Sequence, residues 1–256
     1  MSRVVDIEAV SDVASAVHQQ AAHQCQKDPL SHDCAHCRVR NLSICGALTD
    51  EEVNVLDKIS RSMCFDARST LFEQDEPADV VYNITSGSVR LYKLLPDGRR
   101  QIVGFALPGD FLGLALSEKN MFSADALTHV TVCQFSRTAF SAMLEQKPHF
   151  LRRLLSMTSH ELSLAQDQMV ILGRRTAEEK VAAFLIGLRK RWARLNATSV
   201  HIPLPMTRQD IGDFLGLTVE TVSRMLTRLA REKTIVIVPD GVRLLDVARI
   251  ESMVEN

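Results

Sequence analysis

Six cysteines occur in this 256-residue chain, and three of them stand close together as Cys34-x2-Cys37-x7-Cys45. Thiolates are soft, charged ligands, and a Cys-x2-Cys pair suits either a zinc ion or adjacent irons of an iron–sulfur cluster. His32 and His36 offer the nitrogen donors that a zinc site would accept. Metal binding, redox sensing and simple burial are therefore all open for these thiols. Disulfides are not expected, because residues 1–20 lack the basic start and apolar stretch of an export signal, and a reducing cytoplasm disfavours them. Cys25 stands outside the close spacing and reads as a spare thiol. Cys64 falls in a predicted strand and reads as a small buried apolar side chain.

A second group with chemical potential lies near the other end of the chain: Val219, Glu220, Ser223 and Arg224. Arginine can donate twice to guanine O6 and N7, glutamate can accept from cytosine N4, and serine can do either. The competing reading is an exposed i,i+4 ion pair between Glu220 and Arg224. A formal net charge of −1 gives no global basic field, so nucleic-acid binding must rest on a local patch, and arginines do gather between Arg174 and Arg231.

The elements that would position this second group are legible. Thr207 and Asp210 cap a short helix, Leu215-Gly216-Leu217 makes a tight turn, and Thr218 caps the next helix. Apolar residues at Ile211, Leu215, Leu217, Val222 and Met225 form the inner face, and Gly212 sits where the two helices must approach. The runs 235–238 and 242–245 flank the turn Pro239-Asp240-Gly241, which completes a winged helix-turn-helix. Upstream, Thr176 and Glu179 form a capping box for a helix burying Val181, Phe184, Leu185, Leu188 and Trp192.

Between residues 148 and 175, Leu151, Leu155, Thr158, Leu162, Ala165, Met169 and Leu172 alternate in steps of four and three. That is the seam of a coiled coil and predicts a parallel homodimer; a helix packed on its own sheet is the alternative. The break after this helix is expected near Gly173. Two copies would read half-sites ~34 Å apart.

In residues 49–147, the pair Thr49 and Glu52 opens a helix whose face is Val53, Leu56, Ile59 and Met63. Short β-branched runs at 80–84, 88–92, 101–105 and 130–133 follow, with a turn at Pro96-Asp97-Gly98, as in a small antiparallel roll. Residues 1–48 read as a flexible arm carrying the close-set cysteines. The expected class is thus α+β: arm (1–48), roll (49–147), dimer helix (148–175) and winged helix-turn-helix (176–256). No apolar run approaches the ~18 residues of a membrane span, so a cytoplasmic protein without membrane contact is expected. No glycine-rich nucleotide loop and no nucleophile–base set is present, which argues against an enzyme.

This order of parts resembles the Crp/Fnr regulator superfamily, which implies a cyclic-nucleotide-binding-like roll. Residues 216–224 are similar to the recognition motif of the Fnr-type, oxygen-sensing branch, with Glu220, Ser223 and Arg224 matching its base-contacting residues. The resemblance implies double-stranded DNA carrying a TTGAT-N4-ATCAA-like palindrome as the target, and genes of microaerobic or anaerobic metabolism as those controlled. It also implies a [4Fe-4S] cluster, with Cys34, Cys37 and Cys45 matching the three N-terminal ligands and Cys133 the distant fourth; the x7 spacing is like that of alphaproteobacterial members. A cyclic nucleotide is not expected, because the stretch from Gly113 to Ser117 and the pair Phe122-Ser123 lack the Glu and Arg of the nucleotide-binding branch. Contact with RNA polymerase is implied for exposed roll loops, of which 95–100 is the candidate.

Overall fold

The computed structural model describes residues 22–24, 34–114, 117–195 and 200–255. Cys25 and His32 lie outside the described residues, as do Ala115 and Leu116 of the stretch compared with nucleotide-binding proteins.

The first half is a two-sheet roll. Strand β1 is Ala22–Gln24; two 3-10 turns, Cys34–His36 and Ile44–Ala47, lead to helix α1, Asp50–Ile59. Strands β2 (Ser60–Phe65), β3 (Thr70–Phe72), β4 (Val80–Ser86), β5 (Val89–Leu94), β6 (Arg100–Ala106), β7 (Phe111–Leu112), β8 (Ser123–Ala126) and β9 (Val130–Ser136) follow. They form antiparallel sheets in the orders β1-β2-β9-β4-β7 and β3-β8-β5-β6. Inward-facing side chains such as Phe72, Ile84, Val89, Val130 and Val132 fill the space between the sheets, as the period-2 alternation of strands requires.

The capping box at Thr49 and Glu52 forms as expected, with reciprocal bonds of 3.4 and 3.0 Å. Its helix is shorter than the apolar spacing suggested. Met63 belongs to β2, where it pairs with Val132 of β9, so the chain leaves helical geometry after Ile59. The helical period ran past the point at which pairing with β9 took over.

Helix α2, Arg137–Gln146, leads into the long helix α3, Pro148–Arg174, with Pro148 in the first turn where its missing N–H costs nothing. The helix runs through Gly173, and the break falls at Arg175 and Thr176, two residues later than expected. Helix α4 is Ala177–Leu195, capped by Thr176 and Glu179. Strand β10 (His201–Pro203), helices α5 (Arg208–Leu215) and α6 (Val219–Arg231), strands β11 (Ile235–Val238) and β12 (Gly241–Leu244) and helix α7 (Val247–Glu255) complete the chain. The wing is three-stranded, in the order β10-β12-β11. Among the described residues, no helix is long and apolar enough to cross a membrane.

Candidate functional site

Residues 34–48, expected as part of a flexible arm, pack on the roll. Val39, Ile44, Cys45 and Leu48 are buried. Ile44, Cys45 and Leu48 share one apolar core with Leu56 of α1, Phe135 of β9, Phe140 of α2 and Phe150 at the foot of α3. Cys34, Cys133, Leu154 and Met157 line the edge of that core. Burial of the arm's own aliphatic side chains offsets part of the entropy lost in ordering this segment.

This docking brings the four cysteines expected as ligands within electrostatic reach of one another. Cys34, Cys37, Cys45 and Cys133 are all free thiols. Burial pushes the Cys45 thiol up to about 11 and Cys133 to about 12, and the neighbouring cysteines push both further in the same direction. Cys34 is raised by burial, by a hydrogen bond to Asp57 and by the charge of Cys133. Asp57 was not singled out from the sequence; its carboxylate also accepts the Cys34 backbone N–H at 3.4 Å. Only the fold brings it there, since nothing about an Asp on the polar side of α1 marks it in the sequence. Among the described residues, no group of three or more His, Cys, Asp or Glu side chains is placed to hold a metal ion.

Cys64 corrects an expectation. It is buried, as read, but it is disulfide-bonded and not a free thiol. Strand β1 pairs with β2, with His23 opposite Cys64.

At the opposite end, the helix-turn-helix has the local geometry expected of it. Thr207 and Asp210 form a capping box, and Thr218 caps α6. Gly216 adopts φ +63°, ψ 40°, a left-handed conformation that glycine takes at little cost. A Cβ on Gly212 would stand 2.6 Å from the Leu217 carbonyl oxygen, so only glycine permits this helix approach. Glu220, Ser223 and Arg224 are exposed on α6, and Val219 is half-buried. Glu220 and Arg224 do not pair with each other; Arg224 donates instead to Thr221 Oγ1 at 3.3 Å. The Glu220 carboxyl is held below its usual range by its own backbone N–H and by the Thr218 hydroxyl. The outer face of α6 thus carries an anion, a hydroxyl and a guanidinium, a donor–acceptor set suited to base edges.

Along α3, Leu155, Leu162 and Met169 are 65%, 59% and 68% exposed, and Leu151, Thr158, Ala165 and Leu172 are exposed as well. The seven-residue seam lies open in the single chain. In the roll, Arg99 is exposed and pairs with Asp97, whereas Arg100 turns back to Asp210 and Asp213 of α5. The loop of the former cyclic-nucleotide comparison is tied internally: Arg137 donates to the carbonyls of Gly113 and Ser117 at 2.7 and 2.8 Å.

Comparison with known proteins agrees with this architecture. Residues 63–147 match the cyclic nucleotide-binding domain family, and residues 204–235 match the bacterial regulatory proteins, crp family. The chain is 55% identical to the transcriptional activatory protein AadR of Rhodopseudomonas palustris, over 85% of this chain and 91% of that one. It is 50% identical to the nitrogen fixation regulation protein FixK of Bradyrhizobium diazoefficiens, over 88% and 95%. Among solved structures, FixK2 from Bradyrhizobium japonicum superposes with a TM-score of 0.71 at 37% identity, covering 76% of this chain and 97% of that one.

Proposed function

Because this chain belongs to the Crp/Fnr family of bacterial regulatory proteins, we propose that it is an oxygen-responsive transcriptional activator working as a homodimer on double-stranded DNA in the cytoplasm. Its relatives are transcription regulators, and the chain is a regulator rather than an enzyme. The observation that carries the sensing half is that Cys45 lies in, and Cys34 and Cys133 at the edge of, a core that also contains the foot of α3, with Cys37 within electrostatic reach of Cys45 and Cys133.

The donor set, four free thiols, is of the kind that holds an iron–sulfur cluster. Burial and the charge of neighbouring cysteines raise Cys34, Cys45 and Cys133, and a cationic centre would relieve that repulsion. When bound, a [4Fe-4S] cluster supplies an oxygen-labile centre that demands four thiolates. The chain does the rest. With Cys34, Cys37 and Cys45 held against Cys133, residues 34–48 stay docked, and Ile44 and Leu48 stay packed beside Phe150 and Leu154. The foot of α3 is then fixed, and its seam from Leu151 to Leu172 is presented to a second copy. Releasing the thiols removes that support, which shifts the population from dimer toward monomer.

The DNA target is a TTGAT-N4-ATCAA-like palindrome read by Glu220, Ser223 and Arg224 of each subunit, with Val219 against the groove wall. The cyclic nucleotide of the wider fold family is not the signal, since neither Phe122 nor Leu114 can pair with a phosphate. The exposed tip at Leu95 and Arg99 is the proposed contact with RNA polymerase; the pairing of Arg100 with α5 withdraws it from that role.

Anaerobic reconstitution with ferrous iron and sulfide tests the sensing site. The parent is expected to take up ~4 irons per chain with a visible charge-transfer absorbance, and Cys37→Ser to hold less than ~1. Equal iron in the two would contradict the ligand assignment.

A further inference from the structure

Five charged side chains, drawn from three strands of the roll and one helix of the DNA-binding domain, meet at the boundary between them. Arg90 of β5 donates to Asp125 of β8 at 2.8 Å and to Asp210 of α5 at 3.1 Å. Arg100 of β6 donates to Asp210 and Asp213 of α5, both at 2.8 Å. Both guanidiniums lie over the Tyr92 ring, 5.7 and 5.8 Å from its centroid. Asp210, with its side chain only 1% exposed, is the hub. It is already satisfied locally as a capping residue, accepting the Thr207 N–H and hydroxyl at 2.9 and 2.7 Å. The arginines are therefore not required to form α5; they fix where α5 lies.

Two further bonds act on the same helix. Gln101 Nε2 donates to the Asp213 carbonyl at 2.6 Å, and Gln168 of α3 donates to the Phe214 carbonyl at 3.1 Å. Those carbonyls lie in the last turn of α5, where no intrahelical partner is available. Beneath them Phe105 of β6, Phe184 of α4 and Phe214 of α5 form an aromatic triad with centroids 5.4–6.1 Å apart. Apolar contact of this kind is non-directional and supplies adhesion. Charge-assisted bonds to a planar guanidinium are directional and set an angle.

We propose that Arg90, Arg100, Asp210 and Asp213 are positioning residues, a latch that holds the helix-turn-helix against the roll in the orientation that reads DNA. With the latch closed, Glu220, Ser223 and Arg224 stand exposed, so the contact does not mask the reading face. Leu172, at the end of the seam, also approaches the Gly216 turn: a Cβ there would lie 3.6 Å from its Cδ2. Helix α5 is thus referenced both to the roll and to the dimer helix. In a dimer, that fixes the separation and twist of the two α6 helices, and so the half-site spacing that both can engage at once.

The test is Arg100→Gln in the full chain, titrated against palindromes whose central spacer is four base pairs, or one shorter or longer. The parent is expected to prefer the four-base-pair spacer by at least ~10-fold, because one base pair both lengthens and rotates the site. Arg100→Gln is expected to bind that spacer ~10-fold more weakly and to keep less than ~3-fold preference, with dimerisation unchanged. Should the variant fold poorly, Gln101→Ala removes the amide's bonds to the Asp213 carbonyl of α5 and to the adjacent Ile102 carbonyl, leaves the ion pairs in place, and is expected to move both readouts the same way by a smaller factor. Unchanged affinity and spacing preference in both variants would overturn the latch, and tighter binding would make the contact a brake instead. The inference rests on the DNA-binding reading above, and the two fail separately: a parent that binds no palindrome sinks that reading, whereas a parent matched by its variants sinks only the latch.

Discussion

Replacing Arg224 with alanine is expected to weaken binding of the palindrome by about 2–6 kcal/mol, ~30-fold to ~10⁴-fold, when both half-sites lose one bidentate contact to guanine. The guanidinium stands at the exposed start of α6, where, among the described residues, its one bond is a 3.3 Å contact to the Thr221 hydroxyl. Nothing in the protein has to be broken to free it, and nothing collapses when it is removed. The loss should be specific. Against a duplex in which the contacted guanine has been changed, parent and variant should bind alike, because the contact being deleted no longer exists. Arg224→Lys keeps the charge and loses the fork, and is expected to behave nearly as badly as alanine. A binding assay across single-base variants of the site checks this. A loss that is modest and the same for every sequence would reassign Arg224 to the phosphate backbone.

The second large effect concerns the seam on α3. Leu155→Glu combined with Leu162→Glu is expected to convert the protein to a monomer and raise the operator dissociation constant by more than ~10³-fold. Each leucine buried in an interface contributes about 1.5–3 kcal/mol, and the symmetric dimer loses two from each chain. The side chains are 65% and 59% exposed in the single chain, so folding of the subunit should be spared. Sedimentation equilibrium reads the association state, and far-ultraviolet circular dichroism confirms that the helix is retained. A folded double variant that remains dimeric at micromolar concentration would move the interface elsewhere.

Where local rules decide structure, the sequence was a good guide. Capping boxes at Thr49, Thr176 and Thr207 form because each is closed within four residues. The helix-turn-helix was legible for the same reason: Gly216 needs a left-handed backbone and Gly212 a missing Cβ, and both demands are met by residue type alone. Met63 shows the limit. Its spacing continues the helical face of α1, yet pairing with Val132, far away in sequence, places it in a strand. Strands β3, β8 and β10 and helices α2 and α7 escaped notice as short elements without a strong periodic signal.

The four ligand positions were named from resemblance, and the fold supplies what spacing could not, namely a buried meeting point for Cys133 with the arm and a shared core with α3. The Cys64 disulfide and the Arg90–Arg100 cluster were both missed. The arginine cluster joins residues distant in sequence, with Arg90 and Arg100 reaching Asp210 across 120 and 110 positions. A hint was present in Arg90, a charged residue between the apolar Val89 and Leu91 of its strand and only part-exposed, which had to find a carboxylate somewhere.

The most direct test of the whole account is one protein sample titrated with the TTGAT palindrome under argon and again after exposure to air, with iron absorbance and sedimentation recorded in parallel. Under argon the protein should be coloured, dimeric and tightly bound to the palindrome; in air it should bleach, dissociate and lose at least ~10-fold in affinity. A colourless, iron-free protein that grips the palindrome equally well in both atmospheres would contradict it.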